Sequence, residues 1–209
     1  MKGILGLLRH KISPARTDEA MESRLFNTEF ADLGADTHHL VPWSTRAIEV
    51  EAQASDPVRG SQLLQGLWRK DKYMNQLDND AIQRMAEFFD FAAMAPNRDI
   101  IRQDECGNFM VVLLHGGIAI DRLQPWGERL RLAEASPGEI LGEMSLLDNG
   151  TRFSSCTTLS DCEIAVLSAD ALDAMLDAEP TLAANLIVLL ARKLSLRLRV
   201  VSARLSDKK

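Results

Sequence analysis

Residues 142–154 read GEMSLLDNGTRFS, and the interpretation of the whole chain starts from this stretch. A glycine and a carboxylate open a short apolar segment, a turn follows, and Arg152 closes the stretch. One helical turn over residues 143–147 would direct its first backbone N–H groups towards negative charge. Glu143 can accept a hydrogen bond from a sugar hydroxyl, and Arg152 can donate two parallel bonds to a phosphate. The stretch therefore predicts a place that holds a sugar and an anion together.

The composition is that of an ordinary globular protein. Of 209 residues, 46% are hydrophobic and 26% are charged, and the formal net charge is -6. Such a charge gives no bulk attraction to nucleic acid, and no run approaches the roughly 20 apolar residues of a membrane span. Cys106, Cys156 and Cys162 lack the spacing of a metal site, so we expect reduced thiols in a cytoplasmic protein without a metal or a cofactor.

The first part of the chain, residues 1–75, shows weak periodicity and many loop-forming residues. Residues 47–54 alternate loosely, which predicts one strand, and residues 61–73 carry leucines at helical spacing. We assign no chemistry to this part and expect an irregular or partly helical segment, partly extended or mobile.

The second part, residues 76–209, is better patterned. A helix is predicted over residues 78–90, where Asp78 or Asn79 can act as the N-cap. Short apolar runs separated by Gly and Pro turns over residues 97–168 predict a small antiparallel barrel or sandwich. Two helices are predicted over residues 169–206.

The last helix carries a repeated apolar stripe over residues 187–205. Its spacing alternates between four and three residues, which is a heptad seam and predicts a homodimer through paired helices. The alternative is that the stripe packs on the chain's own barrel, or that its first half does so and its second half meets another subunit. The stripe consists of Ile187, Ala191, Leu194, Leu198, Val201 and Leu205.

The order of helix, short strands, sugar-and-anion stretch and two helices resembles the cyclic nucleotide-binding domain family, over roughly residues 76–206. Residues 115–120 resemble the family's glycine turn, residues 137–143 its lead-in to the phosphate-binding cassette, and residues 179–182 the junction of its last two helices. The resemblance implies a mainly β fold with helices: a double-stranded β-helix, or jelly roll, flanked by helices. We call residues 142–154 the cassette.

The resemblance also implies roles for individual residues. Arg152 would neutralise the cyclic phosphate, and Glu143 would bind the ribose 2'-hydroxyl beside a closely approaching backbone at Gly142. The last helix would contact the base through Arg197 and Leu198. The full set of ligand-binding residues expected for a cyclic nucleotide, with cAMP favoured, is Gly142, Glu143, Met144, Ser145, Arg152, Phe153, Ser154, Arg197 and Leu198.

Two departures from the family pattern keep alternatives open. Phe153 stands where a small residue is usual, so the domain is alternatively a scaffold without nucleotide, its pocket filled by the phenyl ring. Arg197 stands where small polar residues are usual, and it can stack on a base or bind a second phosphate. A cyclic di-GMP effector is therefore a further alternative.

The expected output of the chain is protein–protein signalling. The sequence ends at Lys209 with no room for the helix-turn-helix domain of bacterial transcription factors of this type, so we expect no sequence-specific DNA binding. An enzyme is not expected, because the four histidines lack a carboxylate or cysteine partner at useful spacing. We predict a stand-alone cyclic nucleotide sensor that repacks its terminal helices and signals to an unidentified protein partner. The histidines are His10, His38, His39 and His115.

Overall fold

The computed structural model describes residues 40–206, apart from the side chains of residues 204 and 205. The expectations for residues 1–39 lie outside the described residues. The helices are α1 (Trp43–Glu49), α2 (Pro57–Trp68), a 3-10 turn (Met74–Gln76), α3 (Asn79–Ala86), α4 (Glu143–Asp148), α5 (Ala169–Ala178) and α6 (Pro180–Ser206). The strands are β1 (Gln53–Ala54), β2 (Asp90–Met94), β3 (Asp99–Ile101), β4 (Phe109–His115), β5 (Ile118–Leu123), β6 (Arg129–Ala135), β7 (Ile140–Leu141), β8 (Ser155–Thr158) and β9 (Cys162–Ser168).

Two antiparallel sheets form the centre of the molecule. One has the strand order β1-β2-β9-β4-β7 and the other β3-β8-β5-β6. Strand β4 is apolar along almost its whole length because both of its faces are buried. Phe109, Val111 and Leu113 point into the core between the sheets, whereas Met110 and Val112 point into a second core under the helices.

The strand predicted over residues 47–54 is wrong for most of its length. Residues 43–49 form α1, which begins directly after Pro42, and only Gln53 and Ala54 are extended, paired with β2. The buried side chains of Trp43 and Val50, with the partly buried Ala47 between them, follow the i, i+4, i+7 spacing of a helix. The alternation that suggested a strand is accidental, since Ile48 is 72% exposed.

The boundary expected at residue 75 does not separate two cores among the described residues. Helix α2 begins at Pro57, where the Asp56 side chain accepts a hydrogen bond from the Val58 amide at 3.0 Å. Its Leu64 and Trp68 share one hydrophobic cluster with α3, α5 and α6. Residues 57–68 are therefore part of the same packed unit as the sheets.

The helix predicted over residues 78–90 is shorter than expected. Asp78 caps it by accepting from the Ala81 amide at 2.7 Å, and it ends at Ala86. The chain then turns, so that β2 begins at Asp90, before the strand region predicted from residue 97. The reason is that Phe91 and Ala92 pair with β9 and bury on opposite faces, a pattern hidden by the adjoining helical residues.

The first of the two final helices begins where its predicted capping residue lies. The Ser168 hydroxyl accepts from the Ala171 amide at 3.1 Å to start α5. Helix α6 buries Leu182, Leu186 and Leu190 on the core, while Leu198 and Val201 in its outer half are 67% and 51% exposed. No helix within residues 40–206 is long and apolar enough to cross a membrane.

Candidate functional site

Helix α4 is bracketed by two residues in left-handed conformations. Gly142 precedes it with φ of 77° and Asn149 follows it with φ of 52°. The structure thus has a helix over residues 143–148 where a single turn over 143–147 was expected. The positive φ of Gly142 favours glycine at this position. A side chain would also be crowded there, because a Cβ would lie 2.6 Å from Nη1 of Arg152.

The Arg152 side chain is turned into the protein and is 3% exposed. Its Nη1 donates to the carbonyl of Gly142 at 2.9 Å and its Nη2 to the carbonyl of Phe109 at 2.8 Å. The guanidinium carbon lies 4.5 Å from the centre of the Phe109 ring. On another side is Gly107, whose missing side chain leaves the space that the guanidinium occupies, since a Cβ there would lie 2.7 Å from Nη2.

Burial is the main influence on the charge of Arg152. It lowers the pKa of the guanidinium from its ordinary value to about 10, because the charged form is poorly solvated there. Nearby Arg46 lowers the pKa further, while Glu105 and Glu143 act in the opposite direction. Arg152 is therefore still a cation at neutral pH and supplies positive charge to the cassette.

Glu143 is the buried anion of the cassette. Its side chain is 4% exposed and forms an ion pair with the guanidinium of Arg197 on α6. Arg197 also donates through Nη2 to the carbonyl of Ile140 at 2.8 Å. One arginine thus anchors the outer half of α6 to the start of α4.

Arg152 and Glu143 do not pair with each other. Each buried charge instead takes the partner that lies within hydrogen-bonding reach: Arg152 takes two backbone carbonyls, and Glu143 takes Arg197.

The structure brings some of the other predicted residues to the site and not others. Ser145 is buried in α4, whereas Met144 is 47% exposed on the outer side of that helix. Ser154 is half-buried. Leu198 follows Arg197 directly, and consecutive residues on a helix point about 100° apart, so Leu198 faces solvent.

The Phe153 ring does not fill the cassette. It is 54% exposed, and the guanidinium carbon of Arg122 lies 4.2 Å from its centre. Arg122 also donates to the backbone carbonyl of Phe153. The ring therefore lies on the outer surface of the sheet, away from the buried guanidinium of Arg152.

Several residues that contact Arg152 were not predicted from the sequence as part of the site. Gly107 was visible only as part of a Gly-Asn turn, and Phe109 only as the start of an apolar strand. The backbone of Arg152 also donates to the Glu105 carbonyl at 2.8 Å and accepts from the Asp104 amide at 2.9 Å. These contacts join segments far apart in sequence, and no local pattern announces them.

A cleft of about 470 Å³ lies elsewhere, between β2, β4 and β9, and no cassette residue lines it. Its lining includes Glu51, Asp161 and Glu163, which would repel a phosphate. Within residues 40–206 there is also no group of three or more His, Cys, Asp or Glu side chains that could hold a metal ion.

Comparison with known families agrees with this architecture. Residues 93–179 match the family model of the cyclic nucleotide-binding domain. Over these residues the chain is similar to that family. The expected fold class is confirmed: mainly antiparallel β sheets with flanking helices, the β-roll of cyclic nucleotide-binding domains.

Individual relatives are regulatory proteins. The chain is 29% identical over 137 residues to the cyclic AMP receptor protein of Thermus thermophilus, covering 66% of this chain and 59% of that relative. It is 30% identical over 95 residues to a CRP-like cAMP-activated global transcriptional regulator of Mycobacterium tuberculosis, covering 46% of this chain and 42% of that relative. The match therefore spans only about half of each curated relative.

A solved cyclic nucleotide-binding domain from Methylobacillus flagellatus shares the fold. It superposes with a TM-score of 0.67 at 22% identity, covering 76% of this chain and 88% of that one.

Proposed function

We propose that this chain binds a cyclic nucleotide at the cassette and transmits the binding event through α6. The observation that carries the proposal is the pair of opposite buried charges at the two ends of the cassette. Arg152 and Glu143 are both at most 4% exposed, and Glu143 is held by Arg197 of the last helix. A site that holds one buried cation and one buried anion, the anion paired with α6, suits a ligand with a phosphate and a ribose.

The chemistry of each step follows from these contacts. A cyclic phosphate competes with the carbonyls of Gly142 and Phe109 for the N–H groups of Arg152, and a charged acceptor forms the stronger bonds. The ribose 2'-hydroxyl donates to Glu143 in place of Arg197. Because Arg152 is only 3% exposed, the ligand reaches it after α6 has moved or the guanidinium has turned outward.

Ligand binding then changes the packing of α6. Arg197 released from Glu143 frees the outer half of α6, which repacks against the bound base or against a partner. A ligand that binds one arrangement of α6 better than the other shifts the population between them. Adenine is the base we favour, because the curated relatives are named as a cyclic AMP receptor and a cAMP-activated regulator.

Calorimetric titration with cAMP, cGMP and cyclic di-GMP tests the proposal. We expect micromolar or tighter binding of cAMP, and at least about a 30-fold weaker binding in Arg152→Ala, because removing one partner of a buried charged contact costs about 2–5 kcal/mol. Equal affinity in Arg152→Ala would show that the phosphate binds elsewhere. Preferential binding of cyclic di-GMP would point to Arg197 as the binder of a second phosphate.

A nucleotide-free scaffold is the second candidate, and one observation favours it. Both cassette charges already have partners within the chain, so the site is electrostatically complete without a ligand. The scaffold hypothesis was first based on a Phe153 ring that fills the pocket, but this ring points outward and is 54% exposed. A folded protein that shows no melting shift with any of the three nucleotides would establish the scaffold.

We further propose a homodimer through residues 187–205 and a protein partner that recognises one state of α6. The exposed apolar side chains of the stripe in the outer half, Leu198 and Val201, support a helix–helix contact.

A further inference from the structure

Helix α1 is connected to the cassette arginine by a stack of buried rings. The Trp43 ring meets the Phe109 ring edge-on, with centroids 5.6 Å apart and an interplanar angle of 60°. The Arg152 guanidinium also contacts the Phe109 ring, 4.5 Å from the ring centre. All three side chains are at most 8% exposed. A displacement of Trp43 in so dense a core is passed to the ring on which the guanidinium rests.

A second connection is electrostatic. Arg46 on α1 is 1% exposed and pairs with Glu105, and with Glu49 at 2.6 Å. Arg102 bridges the same two carboxylates from outside, at 3.1 Å from Glu49 and 3.6 Å from Glu105. The backbone carbonyl of Glu105 accepts the amide of Arg152.

The buried Arg46 depends on these carboxylates. Its Nε is buried without a hydrogen-bond partner within the described part of the chain. A buried cation that loses one of two counter-charges must shift towards the other or towards solvent. Loss of the Glu105 charge would therefore move α1 relative to the segment that holds the backbone of Arg152.

The backbone preceding α1 joins the same assembly. Leu40 forms a parallel bridge to Cys106, and Cys106 forms an antiparallel bridge to Thr151. The Val41 amide donates to the Cys106 carbonyl at 2.9 Å. Leu40, Cys106 and Thr151 thus lie side by side in a short ladder of bridges, in which Thr151 belongs to the cassette.

We propose that Trp43 and Arg46 are positioning residues for Arg152, so that the placement of residues 40–49 and the occupancy of the phosphate site are coupled. The inference rests on the proposed function. Residues 40–49 would then be a second segment, besides α6, through which a partner senses or alters the occupancy of the phosphate site. Coupling of this kind is reciprocal: a partner that pulls on residues 40–49 changes ligand affinity, and ligand changes the hold on those residues.

The test uses the full chain and cAMP as the calorimetric probe. Glu105→Gln keeps the shape of the side chain and removes the charge that Arg46 needs, and Trp43→Phe shrinks the ring behind Phe109. We expect each to weaken cAMP binding about 5- to 20-fold, within the usual range of coupling between sites. Glu163→Gln is the matched control, because it removes the charge of an ion pair between Arg59 of α2 and Glu163 of β9. Nη2 of Arg59 lies 2.6 Å from Oε1 of Glu163. This substitution should change affinity by less than about twofold.

A thermodynamic cycle separates positioning from general damage. In an Arg152→Lys background, which keeps a charge but loses the fork-shaped pair of donors, Glu105→Gln and Trp43→Phe should each cost less than about twofold. The inference would be overturned if Glu105→Gln and Trp43→Phe weakened cAMP binding as much in the Arg152→Lys background as in the wild type. An equal loss of cAMP affinity in Glu163→Gln would overturn it too. Unchanged affinity in both variants would overturn it as well. Absence of cAMP binding in the wild-type chain would instead overturn the proposed function on which it rests.

Discussion

Substituting Gly107 with alanine is the sharpest test of the inward position of Arg152. The added Cβ would lie 2.7 Å from Nη2, 2.8 Å from Nε and 3.0 Å from Cζ of Arg152. Ordinary contacts between such atoms are about 3.5–4.0 Å, so the guanidinium must retreat by about 0.5–1 Å. Gly107 has no left-handed backbone angle, so its backbone accepts alanine. The substitution therefore acts almost entirely on one side chain.

The cost comes from the hydrogen bonds that the retreat breaks. The end of an arginine is flexible, but this one holds two carbonyls at 2.9 and 2.8 Å. Hydrogen bonds to a charged group contribute about 1.5–3 kcal/mol each, and part of that is recovered when the displaced group meets water. We expect Gly107→Ala to lower the free energy of unfolding by about 2–3 kcal/mol. For a chain of this size that corresponds to a melting temperature lower by about 5–10 °C.

Chemical denaturation of four proteins measures this effect: wild type, Gly107→Ala, Arg152→Ala and the double variant. With the guanidinium gone, the alanine methyl has room, so Gly107→Ala should cost less than about 0.5 kcal/mol in the Arg152→Ala background. Gly66→Ala is the control, since nothing lies within 4 Å of a Cβ there and helix α2 should gain about 0.5–1 kcal/mol. An undiminished loss in the double variant, or a Gly107→Ala protein as stable as Gly66→Ala, would refute the reasoning.

The remaining predictions concern charge, anchoring and assembly. Because burial lowers the Arg152 pKa only to about 10, cAMP affinity should be constant between about pH 6 and 8 and fall only as the pH rises through 10. Arg197→Ala removes the partner of buried Glu143 and the anchor of outer α6. It should destabilise the fold by about 1–3 kcal/mol, because the buried Glu143 carboxylate loses its partner, and speed limited proteolysis of that helix. The wild-type chain should be a dimer by light scattering and the Leu198→Glu, Val201→Glu variant a monomer; identical masses would remove the helix-pairing proposal.

The sequence predicted those features that depend on local chemistry. Side-chain caps at Asp78 and Ser168 mark the starts of α3 and α5. Pro180, expected to mark the end of the preceding helix, follows α5 closely and is itself the first residue of α6. The short helix after Gly142 was also expected, because a glycine and an acidic residue before an apolar run favour it. In each case the residues that determine the feature lie within a few positions of one another.

The features that the sequence did not predict depend on long-range contacts. The end of α1 was mistaken for the start of a strand because the buried face of that helix is covered by Phe109, which lies some 60 residues away. The partner of Glu143 is Arg197, separated from it by 54 residues, and that of Arg46 is Glu105, separated by 59. Which of several cations meets which buried carboxylate is decided by tertiary geometry, and nothing in local spacing reveals it.

The left-handed residues on both sides of α4 fix the length of this part of the cassette. Gly142 and Asn149 reverse the chain direction at either end, so the helix has no neighbouring turn into which it can grow. An inserted residue would rotate the segment by about 100° and exchange the inward Glu143 for an outward neighbour. Ligand preference in this protein is therefore expected to diversify by replacement of side chains at constant loop length. Libraries intended to alter its specificity should vary identities and leave the number of residues between positions 142 and 149 unchanged.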